Sequence, residues 1–158
     1  MLSATPDRAF ATWRSVLFVA WRKETSVEAV EEVGRHAREL GRAFPDGILL
    51  LINVEDSAPP PSSKARGAMA SMLKAATDVR AAAIVHQGQG FGASMVRMVV
   101  QSLNMIAKYP YPSRVFGTNR AGAGWLVEQV DAAGIPELFS KEELIAAIEE
   151  IKSAYAVH

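Results

Sequence analysis

The stretch Gly47 to Arg66, GILLLINVEDSAPPPSSKAR, constrains the fold more than any other part of the chain. Ile48 to Val54 is nearly all apolar and shows no alternation of apolar and polar residues. Such a run suggests a strand covered on both faces, as in α/β sheets. Pro45-Asp46-Gly47 before it and Pro59-Pro60-Pro61 after it leave room for a strand but not for a buried helix. In open α/β sheets, ligands and partners meet the loops at the carboxyl ends of the strands, which places Glu55, Asp56 and Ser57 at the expected working edge.

The remaining elements follow from period and punctuation. Ala9 to Trp13 and Val16 to Arg22 read as two strands joined at Arg14-Ser15, an antiparallel hairpin. Thr25 with Glu28 forms a capping-box pattern ahead of a helix whose apolar stripe is Val27, Val30, Val33, Ala37, Leu40 and Phe44. Ser62 or Ser63 caps a second helix with Ala65, Ala68, Met69, Met72, Leu73 and Ala76 on its buried side. Ala81 to His86 has strand length, and Gly88-Gln89-Gly90-Phe91-Gly92 forms a turn. A third helix from Ala93 to Ala107 is apolar over most of its girth and is expected to be well buried, with Tyr109-Pro110-Tyr111-Pro112 as its stop. Arg114 to Phe116 is a brief strand, and Asn119 caps a fourth helix that Gly134-Ile135-Pro136 breaks. Ser140 with Glu143 is a second capping box, opening a helix with Leu144, Ile145, Ile148, Ile151 and Tyr155 on one face.

The expected order is ββαβαβαβαα: a single α/β domain over 1–158 with a mostly parallel mixed sheet of about five strands and an N-terminal antiparallel hairpin. The length suffices for a real hydrophobic core.

Charge and composition narrow the function classes. The formal net charge is zero, so no global field points to nucleic acid. The charge is unevenly placed. No acid occurs between Val79 and Val127, where Arg80, Arg97, Lys108, Arg114 and Arg120 stand, while the tail from Glu128 holds seven acids against two lysines. The choice is between scattered solvated charge and a basic face for an anionic group. The absence of cysteine excludes disulfides, thiolate catalysis and Cys-based metal sites, and it fits a reducing cytoplasm. Val16 to Trp21 is too short to span a bilayer, and the N-terminus lacks a signal-peptide layout. A cytoplasmic protein without membrane insertion is expected.

Four groups of residues are candidates for function. A phosphate on Ser62 or Ser63 would add about two negative charges at a helix N-terminus, within reach of Arg66; the plain alternative is an N-cap, with Ser57 a turn residue. Gly88-x-Gly90-x-x-Ala93 formally matches a dinucleotide fingerprint but lacks the acid about twenty residues on. An anion site built from Gly88, Gly90, Phe91, Gly92 and Arg97 competes with a plain strand-to-helix turn. His86 shares an edge with Asp56, a base-and-orienter pair whose nucleophile would have to be Ser57 or Ser94, but there is no G-x-S-x-G elbow. Neither catalysis nor a metal or other cofactor is expected. Met69, Met72, Met95, Met98 and Met105 lie on two helices that should pack near each other, either as ordinary core or around a soft apolar cavity.

Ala58-Pro59-Pro60-Pro61 after the strand, Arg66 and Met69 in the next helix, Gly88-x-Gly90-Phe91 followed by Arg97, and Val115-Phe116 followed by Trp125-Leu126 together resemble the STAS-like (SpoIIAA-like) family of bacterial anti-sigma-factor antagonists. They are most similar to a group of small uncharacterised bacterial members. The resemblance covers about residues 8 to 132, so the helix within 137–158 is an addition to that core. It implies a non-enzymatic regulatory protein that contacts an unidentified protein partner through the loop after the third expected strand. In the antagonists a serine in an Asp-Ser context is phosphorylated; Asp56-Ser57 stands in about that place, but Ala58-Pro59-Pro60-Pro61 intervenes before the helix, which leaves Ser62 and Ser63 as competitors. The alternative reading is a small-molecule binder for an apolar or anionic ligand. The final amphipathic helix covers its own domain, a partner's groove or a second copy in a homodimer.

Overall fold

Strand order in the sheet repeats chain order. In the computed structural model, which describes residues 1–88, 90–108, 111–136 and 139–156, with the side chains of residues 91, 106 and 107 outside the description, six strands form one sheet. They are β1 (Ser3–Ala4), β2 (Arg8–Trp13), β3 (Val16–Trp21), β4 (Ile48–Val54), β5 (Val79–His86) and β6 (Ser113–Phe116). β1, β2 and β3 pair antiparallel, and β3 to β6 pair parallel. The helices are α1 (Val27–Ala43), α2 (Ser63–Ala75), α3 (Phe91–Ala107), α4 (Asn119–Ala133) and α5 (Lys141–Tyr155). The sheet has one strand more than the sequence suggests, because a two-residue strand at Ser3–Ala4 leaves no periodic signal.

The hairpin closes at Arg14-Ser15 with Trp13 opposite Val16. Arg14 takes a left-handed φ of 49°, and its guanidinium sits 4.9 Å from the Trp13 ring centroid and 3.3 Å from Glu143 of α5. β4 shows why its sequence lacks alternation. Ile48 and Leu50 enter one core and Leu49 and Leu51 the other, and all four are fully buried.

A parallel sheet that never reverses its strand order has a consequence for its helices. Right-handed crossovers place α1, α2 and α3 on the same face. The first core accordingly joins Val30 and Val33 of α1, Leu73 of α2 and Leu103 of α3 to Leu17, Val19, Ile48 and Leu50. The other face would be bare without α4 and α5, which supply Ala123, Leu126, Leu144, Ile148 and Tyr155 against Phe18, Leu49, Leu51 and Ala83. The final helix thus packs on its own sheet. With no reversal, the sheet also lacks the crevice at which doubly wound sheets bind dinucleotides.

Three local expectations are corrected. The N-cap of α1 is Ser26, whose hydroxyl accepts from the Ala29 amide at 3.1 Å; Thr25 is instead buried. Thr118 rather than Asn119 caps α4, and Asn119 is buried in the first turn. α3 is not well buried. Among its described residues only Leu103 is in the core, while Met98 and Met105 are 61% and 79% exposed. It leans on α2 and stands away from the strands, so its apolar girth faces a gap on one side and solvent on the other. The stop at Tyr109-Pro110 lies outside the described residues, as does Gln89 of the glycine turn.

Candidate functional site: an apolar cavity beneath α3

The gap beneath α3 is a cavity of about 320 Å³. Its floor is Val19 and Trp21 of β3, Ile52 and Val54 of β4 and Ile84 of β5. Val30 and Val33 of α1 wall one side, Met69, Met72 and Leu73 of α2 another, and Met95, Val96, Val99, Val100 and Leu103 of α3 form the roof. The rim is the loop Asp56 to Pro61, with His86 and Gly92. Thr25, Asp56, Ser57 and His86 are the polar lining residues. An apolar pocket with a few convergent polar groups at a strand-end edge has the usual character of a small-molecule site, and this volume lies at the lower end of that class.

The polar end is built by register. Val54 pairs with His86, so the residues that follow β4 meet the end of β5. His86 Nε2 lies 3.2 Å from Asp56 Oδ1. The imidazole is buried and its Nδ1 has no hydrogen-bond partner among the described residues, whereas Asp56 is largely exposed. The glycine turn is shaped to this pair. A Cβ on Gly88 would collide with the Asp56 carboxylate and fall 2.6 Å from His86 Cε1; one on Gly92 would fall 3.2 Å from the same atom. Gly90 adopts φ +84° at the N-cap of α3 and, having no side chain, leaves that helix start without a side-chain cap. Phe91 opens the helix, with its side chain outside the described residues.

The loop serines have separate local roles. Ser57 Oγ donates to the Arg22 carbonyl at 2.8 Å and ties the loop to the end of β3. Ser62 is the N-cap of α2, accepting from the Ala65 amide at 3.1 Å. Ser63 is exposed, and its hydroxyl accepts from Arg66 Nη2 at 3.2 Å. Arg97 projects from the exposed side of α3, and neither Arg66 nor Arg97 lines the cavity. The basic residues of the acid-free stretch are spread over four elements: Arg80 on β5, Arg97 on α3 with Lys108 at its C-cap, Arg114 on β6 and Arg120 on α4. Among the described residues no hydroxyl hydrogen-bonds His86, and no three acids or histidines gather around a common point.

Sequence reasoning brought together Asp56, His86 and the glycine turn, and named the methionines as one candidate wall. It missed Trp21, Val30 and Val33, whose apolar spacing is the same whether they fill a core or line a void, and it took Thr25 for a helix cap. It also missed Arg22, which pairs with Glu55 at 3.6 Å and donates to the Thr5 and Tyr155 carbonyls, holding the loop base in place. Among the described residues, no helix is long and apolar enough to cross a membrane. Comparison of the chain with protein-family models, curated proteins and solved structures finds no match.

Proposed function

We propose that this chain is a STAS-like binding module that holds a small, mainly apolar ligand between its sheet and α3. The observation that carries the reading is the cavity itself, apolar over most of its wall and, among the described residues, polar only at Asp56, His86, Ser57 and Thr25. Because the cavity opens to solvent at its rim, water fills it and its aliphatic walls stay hydrated, at a cost of roughly 25 cal/mol for each Å² of apolar surface left wet. A ligand that occupies it removes that cost and brings α3 into contact with the sheet through the ligand. Native mass spectrometry of the protein from its own cells tests this. A non-covalent adduct, lost in the cavity-filling variant Val99→Phe while the fold is kept, is expected. A bare chain that no apolar compound stabilises against heat would defeat the proposal.

A second reading is favoured by the Arg66–Ser63 contact. Phosphate on this exposed hydroxyl at the start of α2 would gain the helix dipole and a guanidinium partner. In that case the chain is a phospho-switched regulator that meets a protein partner through the proline loop, as the family resemblance implies. Because residues 57–61 also form the cavity rim, ligand occupancy and partner contact would act on one loop. The expected sign is a phosphate mass that maps to Ser63 in the cellular protein and vanishes in Ser63→Ala; an unmodified Ser63 would remove this reading.

A further inference from the structure

Resting on the apolar-ligand reading, we infer that the ligand is uncharged and carries a hydroxyl head group, an alcohol or phenol rather than a carboxylic or phosphoric acid, with that head at the Asp56–His86 end of the cavity.

Among the described residues, no arginine or lysine lines the cavity. The nearby cations are engaged or face away: Arg22 with Glu55 and two carbonyls, Arg66 with the Ser63 hydroxyl, and Arg97 on the exposed side of α3. The charge that does line it is a carboxylate. Among the described residues, His86 is the one ion-pair partner of Asp56, so the mouth carries negative charge whenever the imidazole is neutral.

The start of α3 is the other feature that would draw an anion, because its first amides lack a side-chain cap and no acid stands in its first turn. The Asp56 carboxylate already stands near the turn that opens this helix: its Oδ1 is 3.7 Å from where a Gly92 Cβ would be and closer still to that of Gly88. A ligand carboxylate would therefore enter beside a resident carboxylate, and like charges oppose one another there, although solvent at the exposed mouth weakens the effect.

The hydrogen-bonding inventory points the same way. The Asp56 oxygens, one of them 3.2 Å from His86 Nε2, are exposed acceptors at the mouth, and the Ser57 hydroxyl already gives its proton to the Arg22 carbonyl. The rim thus favours a ligand that brings a donor. A hydroxyl donates and also accepts; an ionised acid can only accept.

The test compares decanol with decanoate, equal in chain length and different in head, by calorimetric titration of the whole chain and of Asp56→Asn near neutral pH. Asparagine keeps the shape and a hydrogen bond to His86 but removes the charge, and the thermal midpoint of the variant checks its fold. The wild type is expected to bind decanol at least about tenfold more tightly than decanoate, and Asp56→Asn to bring the two within about threefold. Decanoate binding as tightly as decanol, or a preference unchanged in Asp56→Asn, overturns the inference while leaving the apolar-ligand reading intact. If neither compound binds, nor any apolar compound of similar size, the underlying reading fails instead.

Discussion

Replacement of Val99 by phenylalanine separates a cavity from a core. Val99 is half-buried on the inner side of α3 and lines the void. In a close-packed interior the larger ring would force neighbours apart, at about 1–3 kcal/mol. Here it has roughly 320 Å³ to enter. At ~0.8 kcal/mol per fully buried methylene, and with the added ring carbons about half withdrawn from water, the variant gains about 1.5 kcal/mol. For a chain of this size that raises the thermal midpoint by roughly 3–6 °C. The matched control is Ala83→Val on the opposite face, where Ala83 is fully buried and closely approached by α4 near Gly122. This substitution should lower stability by about 1–3 kcal/mol. Urea unfolding of ligand-free protein reads both. A Val99→Phe variant destabilised as much as the control would mean that α3 packs on the sheet in solution, and the ligand-site argument would go with it.

Gly88→Ala should cost about 1–3 kcal/mol and equalise decanol and decanoate binding, because the new methyl collides with Asp56 and His86; unchanged stability in urea would show that the turn yields freely. Ser140→Ala removes the cap of α5, which accepts from the Glu143 amide at 3.1 Å, and should cost about 1 kcal/mol in the same assay. The Ser140 backbone amide, then its hydroxyl, hold the Glu143 carboxyl below the usual glutamate range. The stability linked to that carboxylate is therefore complete above the ordinary range and lost as pH falls through the lowered value, so the Ser140→Ala deficit should shrink in acid; a constant deficit would refute the linkage. Burial first, and the Glu55 charge second, push the Tyr155 phenol up to about 12. Its unfolded counterpart ionises near 10, so this contribution is whole below about 10 and disappears as pH rises towards 12. Tyr155→Phe should flatten the alkaline fall in urea midpoint; an identical fall would exclude Tyr155 as its source.

The architecture was legible where period and punctuation agreed. The unbroken run of β4, the hairpin at Arg14-Ser15, a serine cap at Ser62 or Ser63 and the Ser140–Glu143 box all carry short-range chemistry that needs no tertiary context. Misreadings came where neighbouring residues share one chemistry. Thr25 and Ser26 are both capable caps, as are Thr118 and Asn119, and only the turn geometry selects between them. The burial of α3 was misjudged for a deeper reason. Apolar girth records what a helix tolerates, whereas its distance from the sheet is set by its neighbours, here α2 and the glycine turn. The Asp56–His86 pairing was readable from their common strand edge, but the exposed position of Arg97 and the engagement of Arg66 by Ser63 required the helix rotations.

A sheet laid down in chain order can be assembled in the order in which the ribosome delivers it. Each strand from β1 to β6 adds to the edge just completed, and none is inserted between earlier ones. Each parallel pairing, such as Val16 with Leu49 or Ile48 with Val79, spans a single crossover, so no strand waits for a later one to reach its partner. The cover of the second face, however, arrives last. Until α4 and α5 emerge, Phe18, Leu49, Leu51 and Val85 form an open oily surface on an otherwise nearly finished nascent domain. The C-terminal helices thus decide whether the newly made chain stays dispersed, and a ribosome stalled after β6 would leave a product prone to stick to its neighbours.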